Sequence, residues 1–124
     1  MSILSALLGD ASSSDTEKIA KQIEAILAPG EVVESGYKLV RDLVVFTDRR
    51  IVFVDKQGIT GKRTTWLSIP YSGIVRFAAE TAGHFDLDSE LLIWTKGDSQ
   101  PVKIDFRGGG DILQAYRTLS GHIS

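Results

Sequence analysis

The middle of the chain alternates between short apolar runs and polar turns. Residues 43–46 and 51–54 are apolar runs, mainly of β-branched and aromatic side chains, and a third predicted strand at 62–69 ends at Pro70. The polar segments between the runs, 47–50 and 55–58, are short enough for hairpins, so the pattern predicts three successive antiparallel strands. Because the first two runs are apolar at consecutive positions, both of their faces are apolar. A helix or another subunit is therefore expected to cover the second face.

Four more strands and two helices complete the pattern. The strands are predicted at about residues 32–40, 74–80, 85–95 and 102–107. In the last of them Val102, Ile104 and Phe106 alternate with polar residues, which is typical of a half-buried strand. An amphipathic helix is predicted at about 15–28, and it packs either on its own domain or partly on a neighbour. A final helix begins at the N-cap residue Asp111 and carries an apolar side that includes Leu119.

Seven consecutive strands followed by a helix predict one domain of mainly β class. The expected fold is a seven-stranded antiparallel barrel or sandwich, partly open, whose open end the last helix caps. The predicted organisation is an N-terminal helical extension at 1–30 and the β barrel with its C-terminal helix at 31–124.

Composition excludes several classes of function. The chain of 124 residues has no cysteine, so it holds neither disulfides nor a thiolate zinc site, as suits a reducing cytoplasm. Its net charge of -2 gives no general attraction to nucleic acid or anionic membranes. No stretch approaches the ~20 apolar residues that a membrane span requires. We therefore expect a cytoplasmic protein that binds no nucleic acid.

Three spaced motifs carry a resemblance to a known family. The runs RD…FT…RI…VD.QG..GK at 41–62, SIPY..I at 68–74 and FDLDSELLIW at 85–94 resemble the bacterial pleckstrin-homology-like family, long known as a domain of unknown function. The resemblance covers the chain from about residue 15 to its C-terminus. It implies a pleckstrin-homology-like barrel capped by the C-terminal helix. It also implies cyclic, ring-like homo-oligomers with a hydrophilic surface where neighbouring strands meet, and no known catalysis.

An acidic stripe is the most prominent polar feature. His84, Asp86, Asp88 and Glu90 occupy every second position, so they share a face of a regular strand. Carboxylates are ligands for Mg²⁺ or Ca²⁺, but side chains on one face of a strand lie about 7 Å apart and do not converge on an ion. We therefore predict no metal and interpret the stripe as a surface that binds an unknown protein partner.

Basic residues cluster in the central hairpins. Arg41, Arg49 and Arg50 are assigned with the acidic stripe to the partner-binding surface, and Lys62 and Arg63 to a weak anion-binding site. Eukaryotic pleckstrin homology domains bind phosphoinositides with several bases at the first inter-strand loop, whereas here Arg41 stands beside Asp42. Lipid binding is therefore the alternative and not the leading hypothesis. The glycines around residues 58–61 are too closely spaced for a phosphate loop.

No catalytic constellation is present in the sequence. His84 and His122 are the only histidines, no serine lies in a nucleophile elbow, and no cysteine is available. The sequence therefore predicts no enzyme and no cofactor. It predicts a non-catalytic scaffold that forms a homo-oligomer above a dimer and binds protein partners; the alternative is a peripheral membrane module for acidic lipid head groups.

Overall fold

The computed structural model describes residues 13–39, 42–57, 63–81, 88–107 and 109–123. The chain divides into two compact units, Met1–Ser68 and Ile69–Ser124. The elements of the first unit are helix α1 Ser13–Ile23, a 3-10 turn Glu24–Ile26, and strands β1 Val33–Lys38, β2 Leu43–Thr47, β3 Arg50–Gln57 and β4 Arg63–Pro70, whose last two residues belong to the second unit. Those of the second unit are a 3-10 turn Tyr71–Gly73, strands β5 Ile74–Thr81, β6 Asp88–Thr95 and β7 Val102–Arg107, and helix α2 Gly109–His122.

Strands β1 to β4 form a sheet in chain order, and β2 is buried along its whole length. The pairs β1–β2 and β2–β3 are antiparallel, with Val45 opposite Gly36 on one side and opposite Val52 on the other. Helix α1 inserts Ile19 and Ile23 into a cluster with residues of β2 and β3. This confirms that a helix covers one of the two apolar faces of the central strands.

A close approach between α1 and β1 explains a glycine inside a strand. A β-carbon added at Gly36 would lie 3.0 Å from the Ile19 side chain, which is tighter than ordinary packing. Glycine in a strand interior often marks such an approach. Gly36 therefore lets α1 lie directly on the sheet.

Strands β5, β6 and β7 form a second antiparallel sheet in chain order. Helix α2 packs against all three strands and buries Ile112, Ala115 and Leu119 completely. At its far end the ring of His122 stacks on that of Tyr71, with centroids 4.1 Å apart and planes 5° from parallel. The structure thus confirms a mainly β fold with seven described strands and a C-terminal helix.

Local differences from the sequence prediction have simple causes. In a regular strand Val75, Phe77 and Ala79 would share a face, but a bulge between Ile74 and Arg76 displaces Val75, which is exposed. Helix α2 begins at Gly109, so Asp111 lies in its first turn and is not the N-cap. Burial raises the pKa of Asp111. The division at residue 30 stays a prediction.

Candidate functional sites

An ion pair joins the loop before β1 to the first residue of β3. Glu31 accepts hydrogen bonds from Arg50 at both oxygens, Oε2 from Nε at 2.8 Å and Oε1 from Nη2 at 2.9 Å. The same guanidinium donates to the carbonyl oxygen of Ile26 at 2.9 Å and to Ser68 Oγ at 2.7 Å. The Glu31 side chain is only 1% exposed, so the pair is desolvated on its acidic side.

Neighbouring donors complete the surroundings of the carboxylate. The hydroxyl of Thr47 donates to Glu31 Oε2 at 2.7 Å, and the backbone N–H of Ala28 donates to Oε1 at 2.9 Å. Thr47 Oγ1 in turn accepts hydrogen bonds from the backbone N–H groups of Arg49 and Arg50, with N–O distances of 3.0 Å. A single buried carboxylate therefore fixes the turn, the 3-10 segment and the start of β1.

The hydrogen bond from Arg50 has the largest effect on the titration of Glu31. It lowers the pKa of this carboxyl from 4.5 to about 2, against the opposing effect of burial, and the hydrogen bonds from Ala28 and Thr47 act in the same direction. The hydrogen bond to Glu31 also raises the pKa of Arg50. Because both groups hold each other in the charged state, this pair is suited to holding the fold and not to proton transfer.

A row of three carboxylates crosses the second sheet. In the register of the strands, Glu90 of β6 lies opposite Glu80 of β5 on one side and opposite Asp105 of β7 on the other. We call Glu80, Glu90 and Asp105 the acidic row. Like charges directly opposite each other destabilise a sheet. A hydrogen bond with Asp105 accordingly raises the pKa of Glu90, burial and the charges of Asp105 and Glu80 raise it further, and Lys103 acts against them.

The acidic row lies on the face of the sheet opposite to α2, here called the distal face. Strand alternation places Arg76 on this face, whereas the neighbouring Phe77 lies 4.9 Å from Tyr116 of α2, measured between ring centroids. The Arg76 guanidinium lies 4.5 Å above the ring of Trp94, its partner on β6. Asp88 is exposed two positions before Glu90. The distal face therefore combines carboxylates with an arginine–tryptophan pair.

The structure describes only some of the residues that the sequence assigned to sites. His84, Asp86, Arg41 and Lys62 lie outside the described residues. Asp88 and Glu90 lie on the distal face, and Arg63 is exposed at the first position of β4. The guanidinium groups of Arg49 and Arg50 bind groups of this chain, at Pro29 O and Glu31. The binding roles of all these residues stay predictions.

Sequence reasoning missed Glu31, Glu80 and Asp105. Glu31 and Arg50 are 19 positions apart, and nothing in the pattern of either segment pairs them. The acidic row depends on the register of three strands, which only the structure supplies. Trp66 and Trp94 lie in apolar strand patterns typical of core or interface residues; Trp66 is exposed and Trp94 is half-buried, and a place at an interface stays a prediction.

Two negative findings apply to the described part of the chain. None of its helices has the length and apolar character to span a membrane. None of its groups of three or more His, Cys, Asp or Glu residues is arranged to hold a metal ion.

The order of seven strands and a C-terminal helix defines a pleckstrin-homology-like fold, and comparison with solved structures supports this class. The pleckstrin homology domain from Shewanella amazonensis SB2B superposes with a TM-score of 0.79 and 41% identity, covering 99% of each chain. A DUF1696 family protein with a pleckstrin-homology domain from Shewanella loihica PV-4 gives 0.75 at 34% identity, covering 86% of this chain and 92% of its own.

The family follows from the sequence comparisons. The family model for the bacterial PH domain matches residues 2–123. The uncharacterized protein YjqA of Bacillus subtilis (strain 168) is 55% identical over 121 residues, which cover 97% of either chain. The chain therefore belongs to the bacterial PH domain family, and the resemblance found in its sequence motifs is confirmed.

Proposed function

We propose that this protein is a non-catalytic, cytoplasmic interaction module that forms a cyclic homo-oligomer and binds protein partners through the distal face. The observation that carries the proposal is the acidic row. Glu80, Glu90 and Asp105 occupy directly opposite positions on three adjacent strands. A sheet selected for stability alone would place opposite charges or β-branched residues at such positions. The arrangement is explained if a partner supplies positive charge beyond that of Lys103.

The chemistry of the distal face also supports a protein partner. Arginine and tryptophan are enriched among the residues that dominate binding energy at interfaces, and Arg76 and Trp94 lie together on this face. Carboxylates at an interface mainly provide specificity and faster association with a partner of opposite charge. The expected partner surface is therefore basic or rich in hydrogen-bond donors.

Replacing Asp88 with Asn and Glu90 with Gln is expected to weaken partner binding without lowering stability. The changes remove two negative charges from the distal face and relieve the repulsion within the acidic row. Surface changes of this kind usually alter the free energy of unfolding by less than about 0.5 kcal/mol. The measurement is a thermal melt beside a quantitative pull-down from lysate of the native organism.

The matched control for this double variant is Asp98→Asn with Glu24→Gln, which removes two exposed charges outside the distal face. This control should retain the captured proteins. If the Asp88 and Glu90 variant melts normally and captures the same proteins in the same amounts, the distal face is ordinary solvated surface and the proposed partner site is wrong.

Self-association is supported by the edge strand β4. Trp66 is 48% exposed and Leu67 is 40% exposed. Because successive side chains of a strand point to opposite faces, both faces of β4 present an apolar residue to solvent. An edge strand with exposed apolar residues is a template for pairing with another chain. When such an edge binds a different surface of the next copy, the contact is heterologous and can close into a ring.

The membrane alternative receives less support from the described residues. A site for acidic head groups requires several free cationic side chains, but Arg50 is held by Glu31 and Arg49 donates to the carbonyl oxygen of Pro29 at 3.3 Å. Of the described basic residues that the sequence assigned to binding, this leaves Arg63, which is exposed, and one cation alone gives little attraction to an anionic surface.

A further inference from the structure

Strand β5 leaves one of its edges open in the second sheet. In the sheet order β5–β6–β7, β5 pairs with β6 on one side, and the described residues add no strand to this sheet on its other side. Of its eight residues only Ile74 is buried. Phe77, Ala78 and Ala79 are half-buried, although their partners on β6 are buried. The backbone N–H and C=O groups along such an edge can pair with an added strand.

Two exposed apolar residues of α2, Leu113 and Tyr116, lie beside this edge and are here called the apolar shelf. Ile112, Ala115 and Leu119 turn toward the sheet, whereas Leu113 is 45% exposed and Tyr116 is 38% exposed. The tilted ring of Tyr116 contacts that of Phe77 on β5, and Leu113 lies one helical turn away on the same side of α2. A segment added to β5 would therefore place every second side chain against α2.

The charges along β5 determine which segment fits. Arg76 and Glu80 are exposed, lie four positions apart and point to the distal face, whereas Phe77 and Ala79 point toward α2. On the paired side Glu80 meets the carboxylate of Glu90, and Asp105 follows. Within the described residues, the open sides of Glu80 on β5 and of Asp105 on β7 are the two positions where an added positive side chain would lie directly opposite a member of this row, and only the β5 side also has Tyr116 of α2 against its strand.

We propose that the β5 edge binds an extended segment of a partner protein by antiparallel strand addition. This inference rests on the proposed function and names the chemistry of its partner. Because an antiparallel strand runs against β5, its first residue lies opposite Glu80 and its fifth opposite Arg76. The segment that fits reads basic, apolar, any residue, apolar, acidic. The two apolar residues lie opposite Ala79 and Phe77 and cover the shelf on α2.

Fluorescence anisotropy of two labelled peptides tests this inference on the full chain. One peptide carries Lys-Val-Thr-Val-Glu at its centre, and the other has Lys and Glu exchanged. Charged pairs directly opposite each other favour opposite signs and disfavour equal ones, so the first peptide should bind about tenfold more tightly. The double variant Arg76→Glu and Glu80→Lys should reverse this preference. Leu113→Ser should weaken binding of the first peptide several-fold, and Val32→Ser, an exposed apolar residue of the other unit, should not.

The inference is overturned if neither peptide binds, if both bind equally, or if the double variant keeps the original preference. It is equally overturned if Leu113→Ser binds as well as the unaltered chain, since the shelf is then not part of the site. A chain that captures its native partner but binds neither peptide rejects strand addition and leaves the proposed function standing. The pull-down with the Asp88 and Glu90 variant tests the proposed function, and the peptide titration tests strand addition. Failure of one claim is therefore distinguishable from failure of the other.

Discussion

Replacing Glu31 with Gln is expected to lower the free energy of unfolding by about 3–5 kcal/mol, the usual cost of breaking a buried ion pair by removing one partner. The Glu31 carboxylate accepts hydrogen bonds from Nε and Nη2 of Arg50, from the Thr47 hydroxyl and from the backbone N–H of Ala28. The amide of glutamine has one acceptor atom in place of two, so part of this set is left unpaired in a nearly buried site. Urea unfolding measures the difference.

The matched control is Glu24→Gln, the same chemical change at an exposed residue of the adjacent 3-10 turn. It should leave the urea midpoint nearly unchanged. If Glu31→Gln unfolds at the same urea concentration as the unaltered chain, the ion pair does not hold the loop before β1 to the start of β3.

The pH dependence of stability provides a separate measurement of the same pair. The pKa of Glu31 is depressed in the folded state, to about 2 from 4.5. Its contribution is therefore complete above pH 4.5 and is lost as pH falls toward 2, and the difference in pKa corresponds to about 3 kcal/mol. Stability of the unaltered chain should fall more steeply over this range than that of Glu31→Gln. Parallel curves would contradict the assignment.

Leu119→Ala is expected to lower the free energy of unfolding by about 2–5 kcal/mol, as is usual for truncating a buried leucine. Leu119 is fully buried on the side of α2 that packs against the three-stranded sheet. Leu113→Ala is the matched control, since the same change occurs on the same helix at an exposed position and should cost less than about 0.5 kcal/mol. Equal melting temperatures for the two variants would mean that α2 does not contribute to the core of its unit.

The strands could be predicted from the sequence because their signals are local. The apolar run at 43–46 and the alternation at 102–107 became strands Leu43–Thr47 and Val102–Arg107, with limits that differ by at most one residue. The turns are marked by polar residues and glycine, which act within a few positions. Cover on both faces of β2 was also foreseeable, because the run has no polar side. The prediction left open whether a helix or a subunit provides it.

The sites could be predicted only in part, because they depend on register and on distant contacts. The stripe along β6 was visible as alternating acids, but its lateral extension to Glu80 and Asp105 follows from which residues the strands place opposite one another. The bulge at Val75 alters this register, and composition gives no sign of it. Glu31 meets Arg50 through the packing of α1 on the sheet, so the role of Arg50 as an internal partner was not foreseeable.

Self-association is the claim that one measurement tests most directly. The mass of the full chain by multi-angle light scattering at micromolar concentration should exceed that of two chains, each of 13.5 kDa. Trp66→Ser should reduce this mass, because it removes an exposed apolar residue from the β4 edge, whereas Val32→Ser should not. A mass of one chain for the unaltered protein would contradict the account of an oligomeric interaction module.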